Sequence, residues 1–128
     1  MRTRILPLLA ATALAVVSGC SGPSTHKVSG TVTWDGKEVE DGQITFLPEN
    51  GNLHPATAKV VNGRYEARVP AGRARVEISA QRDLGFNTAM HQNVKQSYIP
   101  AEYHALSKLS FDVQPNDNNT ADFHLPVK

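Results

Sequence analysis

Residues 62–81 read NGRYEARVPAGRARVEISAQ, and this stretch decides the fold class. It contains two runs in which apolar residues alternate with polar or charged ones, which is the period of a half-buried β-strand. Asn62-Gly63 is typical of a tight hairpin turn, and Pro70-Ala71-Gly72 separates the two runs. The stretch predicts two strands, whose buried faces are formed by Tyr65, Ala67 and Val69 and by Ala74, Val76, Ile78 and Ala80.

The same alternation continues on both sides of this stretch, and turn residues such as Asp35-Gly36 separate the runs. No segment after the first 26 residues has a convincing helical period. The pattern predicts an all-β domain over residues 27–128, a seven-stranded antiparallel β-sandwich. The predicted strands cover residues 28–34, 43–47, 56–61, 64–69, 73–81, 108–113 and 121–125.

The sequence predicts a specific structural role for two residues of the first strand, Gly30 and Trp34. Gly30 lies in mid-strand, which indicates a bulge or a close approach of another backbone segment. Trp34 lies at the end of the strand, where packing at the edge of the core is favoured over stacking on a ligand.

The alternation of apolar and polar residues stops at the end of the fifth predicted strand. Residues 83–107 are therefore expected to form a long irregular loop. Irregular connections of about 25 residues are uncommon in compact domains and are often functional. One interpretation is a crossover that covers the sheet edge, with Ile99, Tyr103 and Leu106 in the core. The alternative is a binding loop, and its candidate residues are Phe86, His91, Tyr98, Tyr103 and His104.

The first nineteen residues have the pattern of a secretory signal peptide. Arg2 and Arg4 supply a positive start, and residues 5–17 form an apolar run that is shorter than the ~20 residues a membrane-spanning helix needs. The pattern therefore predicts export and removal of the leader.

Val17-Ser18-Gly19-Cys20 resembles the bacterial lipobox, in which a branched apolar residue and two small residues precede a cysteine. The resemblance implies cleavage before Cys20, diacylglyceryl transfer to its thiol and acylation of its new amine. Residues 20–26 would then be a lipidated flexible tether to a bacterial membrane. Ser21 favours the outer membrane, facing the periplasm, by analogy with lipoprotein sorting. An ordinary signal peptide, cleaved a residue or two away, is the alternative.

Charge and residue spacing exclude several function classes. The 13 basic residues are balanced by 12 acidic ones, so no basic face for nucleic acid is indicated. The five histidines lack metal-ligand spacing, and no motif for nucleophilic catalysis is present. Cys20 is the single cysteine, which excludes an intramolecular disulfide. We therefore expect a protein that is not an enzyme and needs no cofactor apart from the covalent lipid.

Five turn-and-strand segments, residues 28–32, 36–39, 43–46, 62–67 and 69–78, resemble the carboxypeptidase-regulatory-like, or transthyretin-like, β-sandwich family. The resemblance implies an Ig-like Greek key, and its motifs are structural, so they indicate fold rather than activity. The transthyretin-related hydrolases end in a Tyr-Arg-Gly-Ser tail, which the last five residues here do not match. Ala74 also replaces the family's usual aromatic residue. Residues 99–103 are similar to a segment that is common in small bacterial lipoproteins with this domain.

Two functions follow as hypotheses. The first is a lipid-anchored, non-catalytic structural or protein-interaction module of the cell envelope, with a possible envelope protein as partner. The alternative is a small-molecule or carbohydrate-binding module that uses residues 86–104.

Overall fold

The computed structural model describes residues 24–127, so the predicted signal peptide, with Val17, Ser18, Gly19 and Cys20, lies outside the described residues. The all-β prediction is confirmed: within this range the secondary structure is β-strand apart from turns and one 3₁₀ turn at Ala101–Tyr103. The strands are β1 Thr25–Trp34, β2 Lys37–Glu38, β3 Asp41–Pro48, β4 Ala56–Val61, β5 Arg64–Pro70, β6 Gly72–Asn87, β7 Gln92–Ser97, β8 Ser110–Val113, β9 Asn119–Thr120 and β10 Phe123–Leu125.

The strands form one curled, mainly antiparallel sheet in the order β10-β1-β5-β4-β3-β6-β7. The start of β6 also pairs with β8, while β9 and β10 run parallel to β1. Phe46 of β3 and Tyr65 of β5 have ring centroids 6.0 Å apart, although β4 lies between their strands in the sheet. The sheet therefore curls far enough for side chains from non-adjacent strands to meet in one core.

The core is built from the alternate residues that the sequence pattern identified. Burial alternates along β5 from Arg64 to Val69 and along β6 from Arg73 to Ala80, because one face of each strand meets the core and the other meets water. The largest fully buried side chains are Phe46, Ile44, Ile78, Val28, Val32, Val39, Val60, Val69, Val76 and Val113.

The two strongest turn predictions are confirmed. Asp35 and Gly36 have φ values of 51° and 73°, and Asn62 and Gly63 have φ values of 51° and 75°. Two consecutive positive φ angles define the type I′ turn, whose twist matches that of a hairpin. The first turn joins β1 to β2, and the second joins β4 to β5.

Within residues 24–127 the structure has ten strands, and the seven expected ones correspond to β1, β3, β4, β5, β6, β8 and β10. The additional strands are β2, β7 and β9. Two of them are only two residues long, which is too short to produce an alternating pattern.

The expectation of an irregular loop over residues 83–107 is wrong for its first half. β6 continues to Asn87 and pairs with β7 through Asn87↔Gln92, so the chain forms a β-hairpin here, with one irregularity at Gly85, whose φ is 90°. Nearly all residues of this hairpin are exposed. Apolar and polar residues alternate in a strand that buries one face. A hairpin that is exposed to solvent on both faces does not need this alternation, so the sequence does not show it.

The second half of this segment is irregular and lies on the core in part. Ile99 is buried and Tyr103 packs against the core, as one interpretation of the sequence expected. Leu106 was expected in the core as well, but it is 70% exposed, because it follows the 3₁₀ turn on the solvent side.

Candidate functional site

An open cleft of about 680 Å³ lies at the end of the molecule where β1 finishes. One wall is the β1–β2 hairpin with the start of β3, and the other is the base of the β6–β7 hairpin. β6 continues past its last pair with β3, Gly42↔Ala80, and its residues 81–83 therefore lie opposite the β1–β2 turn. We call this site the Trp34–Tyr98 cleft, after its two aromatic residues.

Trp34 is half-buried and is held from behind by a second aromatic side chain. The Trp34 and Tyr103 rings meet edge to face, with centroids 6.0 Å apart and an interplanar angle of 75°. The Tyr103 hydroxyl donates a 3.1 Å hydrogen bond to the Pro126 carbonyl oxygen, which fixes the supporting ring. Trp34 thus packs at the end of the core, as predicted, and also lines a cleft, which was not predicted.

Tyr98 lies in the opposite part of the cleft and follows β7 directly. Burial raises the pKa of its hydroxyl, Glu40 and Asp41 raise it further, and Arg82 acts in the opposite direction. The Tyr98 hydroxyl is therefore neutral at physiological pH and can both donate and accept a hydrogen bond.

Two basic residues of the β6–β7 hairpin are held in place by polar contacts. The Lys95 ammonium lies 3.5 Å from the Asp41 carboxylate, which connects β7 to the start of β3 across the cleft. The Arg82 guanidinium donates two hydrogen bonds, of 3.0 and 2.7 Å, to the Gln96 side-chain oxygen. The Lys95–Asp41 pair is exposed to solvent, so it contributes little to the stability of the fold. Its main effect is to hold β7 and the start of β3 in position on the two sides of the cleft.

The β1–β2 side of the cleft is rich in carboxylates. Asp35, Glu38 and Glu40 line it, and their carboxylates make no hydrogen bond or ion pair with any residue of the range 24–127. Asp83, across the cleft, accepts a 2.7 Å hydrogen bond from the Gly85 backbone N–H. The cleft therefore offers acceptor oxygens that are available to a ligand.

The structure disperses the five residues expected to form a binding loop. Tyr98 lines the cleft, while Tyr103 lies behind Trp34 and His104 ends the 3₁₀ turn. Phe86 and His91 lie toward the outer end of the β6–β7 hairpin, away from the cleft.

Most of the residues that line the cleft were not predicted as site residues from the sequence; of the five candidates, only Tyr98 lines it. The carboxylates of Glu38 and Glu40 carry no sequence signal of a site, because no local spacing shows that they face the base of a hairpin some fifty residues away. The one available signal was the aromatic character of Trp34 and Tyr98 at strand ends.

Two further findings concern the described part of the chain. Among residues 24–127, no three His, Asp or Glu side chains are grouped so that they could hold a metal ion. In the same range, no helix has the length and hydropathy required to cross a bilayer.

Comparison with known proteins gives little further information. No family model matches the chain, and no curated protein does. A similar solved structure is a 9R-lipoxygenase from Cyanothece PCC8801, with 17% sequence identity and a TM-score of 0.35. The match covers 92% of this chain but only 18% of the lipoxygenase chain. A likeness at this TM-score carries no argument about fold or function.

Proposed function

We propose that this protein is a lipid-anchored, non-catalytic module of the bacterial cell envelope that contacts a protein partner through its β6–β7 hairpin. In this proposal the curled sheet is a transthyretin-like β-sandwich, and Cys20 carries the lipid. The resemblance of Val17-Ser18-Gly19-Cys20 to a lipobox supports the anchor. The non-catalytic role rests on the lack of any recognised catalytic motif in the sequence.

The observation that carries the interaction role is the composition of the hairpin's outer part. Leu84, Phe86 and Met90 are exposed by 55%, 62% and 58%. Large apolar side chains gathered at one projecting element are typical of interaction sites, because burying them against a partner removes apolar surface from water.

The chain direction favours a protein partner over the anchoring membrane. Thr25 pairs with Pro70 at the end of β5, and β6 begins two residues later, at the same end of the molecule. At about 3.3 Å per residue, β6 extends for up to roughly 50 Å away from that end. A chain anchored at Cys20 would therefore present the hairpin away from the bilayer that holds the anchor.

Fractionation of the full chain, expressed in a bacterium that processes lipoproteins, tests the anchor. We expect the protein in the membrane fraction, with a mature N-terminal peptide whose mass shows a triacylated Cys20. The Cys20→Ser variant should be found in the soluble fraction. A soluble wild-type protein whose N-terminus is not Cys20 would contradict the proposal.

In-cell cross-linking tests the hairpin. A variant with Leu84, Phe86 and Met90 replaced by serine should lose the cross-linked partner that the wild type captures. The matched control is Leu106→Ser, which also removes an exposed apolar side chain but lies outside the hairpin. Equal capture by the hairpin variant and the wild type would show that this surface is not the contact.

A further inference from the structure

We propose that the Trp34–Tyr98 cleft binds a saccharide. The proposal does not depend on the lipid anchor or on the hairpin's contact with a partner. The cleft volume of about 680 Å³ lies within the 300–1,000 Å³ that is usual for small-molecule sites, which is space for a short oligosaccharide.

The aromatic residues provide the apolar part of the site. A pyranose ring has C–H faces that pack on flat aromatic rings, and Trp34 and Tyr98 supply such rings within the cleft. Trp34 is held by the edge-to-face contact with Tyr103, and Tyr103 is held by its hydrogen bond to Pro126. A surface fixed before binding loses little conformational entropy when the ligand arrives.

The polar residues match a ligand whose groups both donate and accept hydrogen bonds. The carboxylates of Asp35, Glu38 and Glu40 can accept from sugar hydroxyls. Arg82, oriented by Gln96, and Lys37 can donate to hydroxyl and ring oxygens. A hydroxyl is donor and acceptor at once, so one ligand can satisfy both kinds of group.

The same residues disfavour other ligand classes. An apolar ligand would desolvate carboxylates and give them no partner, which is costly. An anion would face five lining carboxylates, against three basic side chains. One of those basic groups, the Lys95 ammonium, is already paired with Asp41. An organic cation is the remaining competitor, and the test includes it.

Trp34 is the single tryptophan of the chain, so intrinsic fluorescence reports directly on the cleft. The full chain is titrated with glucose, N-acetylglucosamine and their β-1,4-linked oligomers, with spermidine and inorganic phosphate as cationic and anionic probes. We expect a saturable change in emission with at least one saccharide, with a dissociation constant in the millimolar range or tighter. Neither spermidine nor phosphate should give a saturable change at matched ionic strength.

Variants locate the binding. Tyr98→Ala should weaken saccharide binding at least 10-fold, while Leu106→Ala, which removes an exposed side chain outside the cleft, should leave it unchanged. Far-ultraviolet circular dichroism and the melting temperature show whether Tyr98→Ala is folded, and Glu40→Gln at the cleft surface provides a second variant expected to weaken binding. The proposal is overturned if no saccharide produces a saturable signal, if both cleft variants bind like the wild type, or if only spermidine or phosphate binds.

Discussion

The hydroxyl of Tyr65 donates a 2.6 Å hydrogen bond to the carbonyl oxygen of Ala121 and so connects β5 to the C-terminal segment. β1 lies between these two parts of the sheet, because it pairs with β5 on one side and with β9 and β10 on the other. The Tyr65 side chain therefore crosses β1, and it does so at its register partner Gly30, which has no side chain. Burial, and secondarily Asp122, raises the pKa of Tyr65, so its hydroxyl remains a donor.

Tyr65→Phe should lower the free energy of unfolding by about 1–2 kcal/mol, because the Ala121 carbonyl would lose its donor in a buried position. Urea denaturation measures this as a lower midpoint with an unchanged m-value. Tyr98→Phe is the matched control, since the Tyr98 hydroxyl makes no hydrogen bond within residues 24–127. Equal midpoints for Tyr65→Phe and the wild type would show that this bond does not fasten the C-terminal segment.

Gly30→Ala should destabilise the fold by about 3 kcal/mol, the upper end of the usual cost of overpacking. A Cβ atom at Gly30 would lie 1.9 Å from the Ala121 carbonyl oxygen, so β9 and β10 would have to move away from β1. Gly51→Ala is the control, because a Cβ there meets no atom within 4 Å. Thermal unfolding followed by circular dichroism compares the two, and similar melting temperatures would contradict the prediction.

The expectation of a close approach at Gly30 shows what the sequence could predict. A glycine in an otherwise regular strand indicates that another backbone passes nearby, and the alternation around it defines the buried face. The sequence could not identify Ala121 as the neighbour, because the pairing of β1 with the C-terminal strands spans about ninety residues and carries no local signal.

The β6–β7 hairpin and the cleft at its base could not be predicted from the sequence, because neither of them produces a local sequence pattern. Beyond Ala80, both strands of the hairpin are exposed on two faces. Hydrophobic periodicity arises from the burial of one face, so it gives no strand signal for these residues. The cleft depends on where that hairpin stands relative to Asp35 and Glu40, and this placement results from the register of β6 on β3.

Asn119 organises the turn before β9, and its replacement by alanine should cost about 3 kcal/mol. Its buried side-chain amide donates to the carbonyl oxygens of Lys27, Gln114 and Asn116, and its oxygen accepts from the Gln114 backbone N–H. Alanine would leave these backbone groups without that partner in a partly buried position. Asn118→Ala, at an exposed position of the same turn, should cost less than about 0.5 kcal/mol by chemical denaturation. Similar losses for the two variants would refute the assigned role.

Asp117 should make the stability of the fold depend on pH in the acid range. The Lys27 backbone N–H donates a 3.0 Å hydrogen bond to the Asp117 carboxylate, and this contact is the main cause that lowers its pKa below the ordinary 3.8, with Arg68 acting in the same direction. Because the folded-state pKa is the lower one, the unfolded chain binds more protons, and stability rises with pH across this window. The contribution of Asp117 is complete above the unfolded-state value and is lost as the pH falls through the folded-state value.

The wild type should therefore exceed Asp117→Asn in free energy of unfolding by a constant amount above about pH 5, and the difference should shrink toward pH 2. Urea denaturation at a series of pH values measures it. Asp112→Asn controls for the loss of one exposed negative charge, because the Asp112 carboxylate makes no hydrogen bond or ion pair within residues 24–127. A difference for Asp117→Asn that stays the same from pH 2 to pH 6 would mean that the Lys27 contact does not favour the ionised carboxylate.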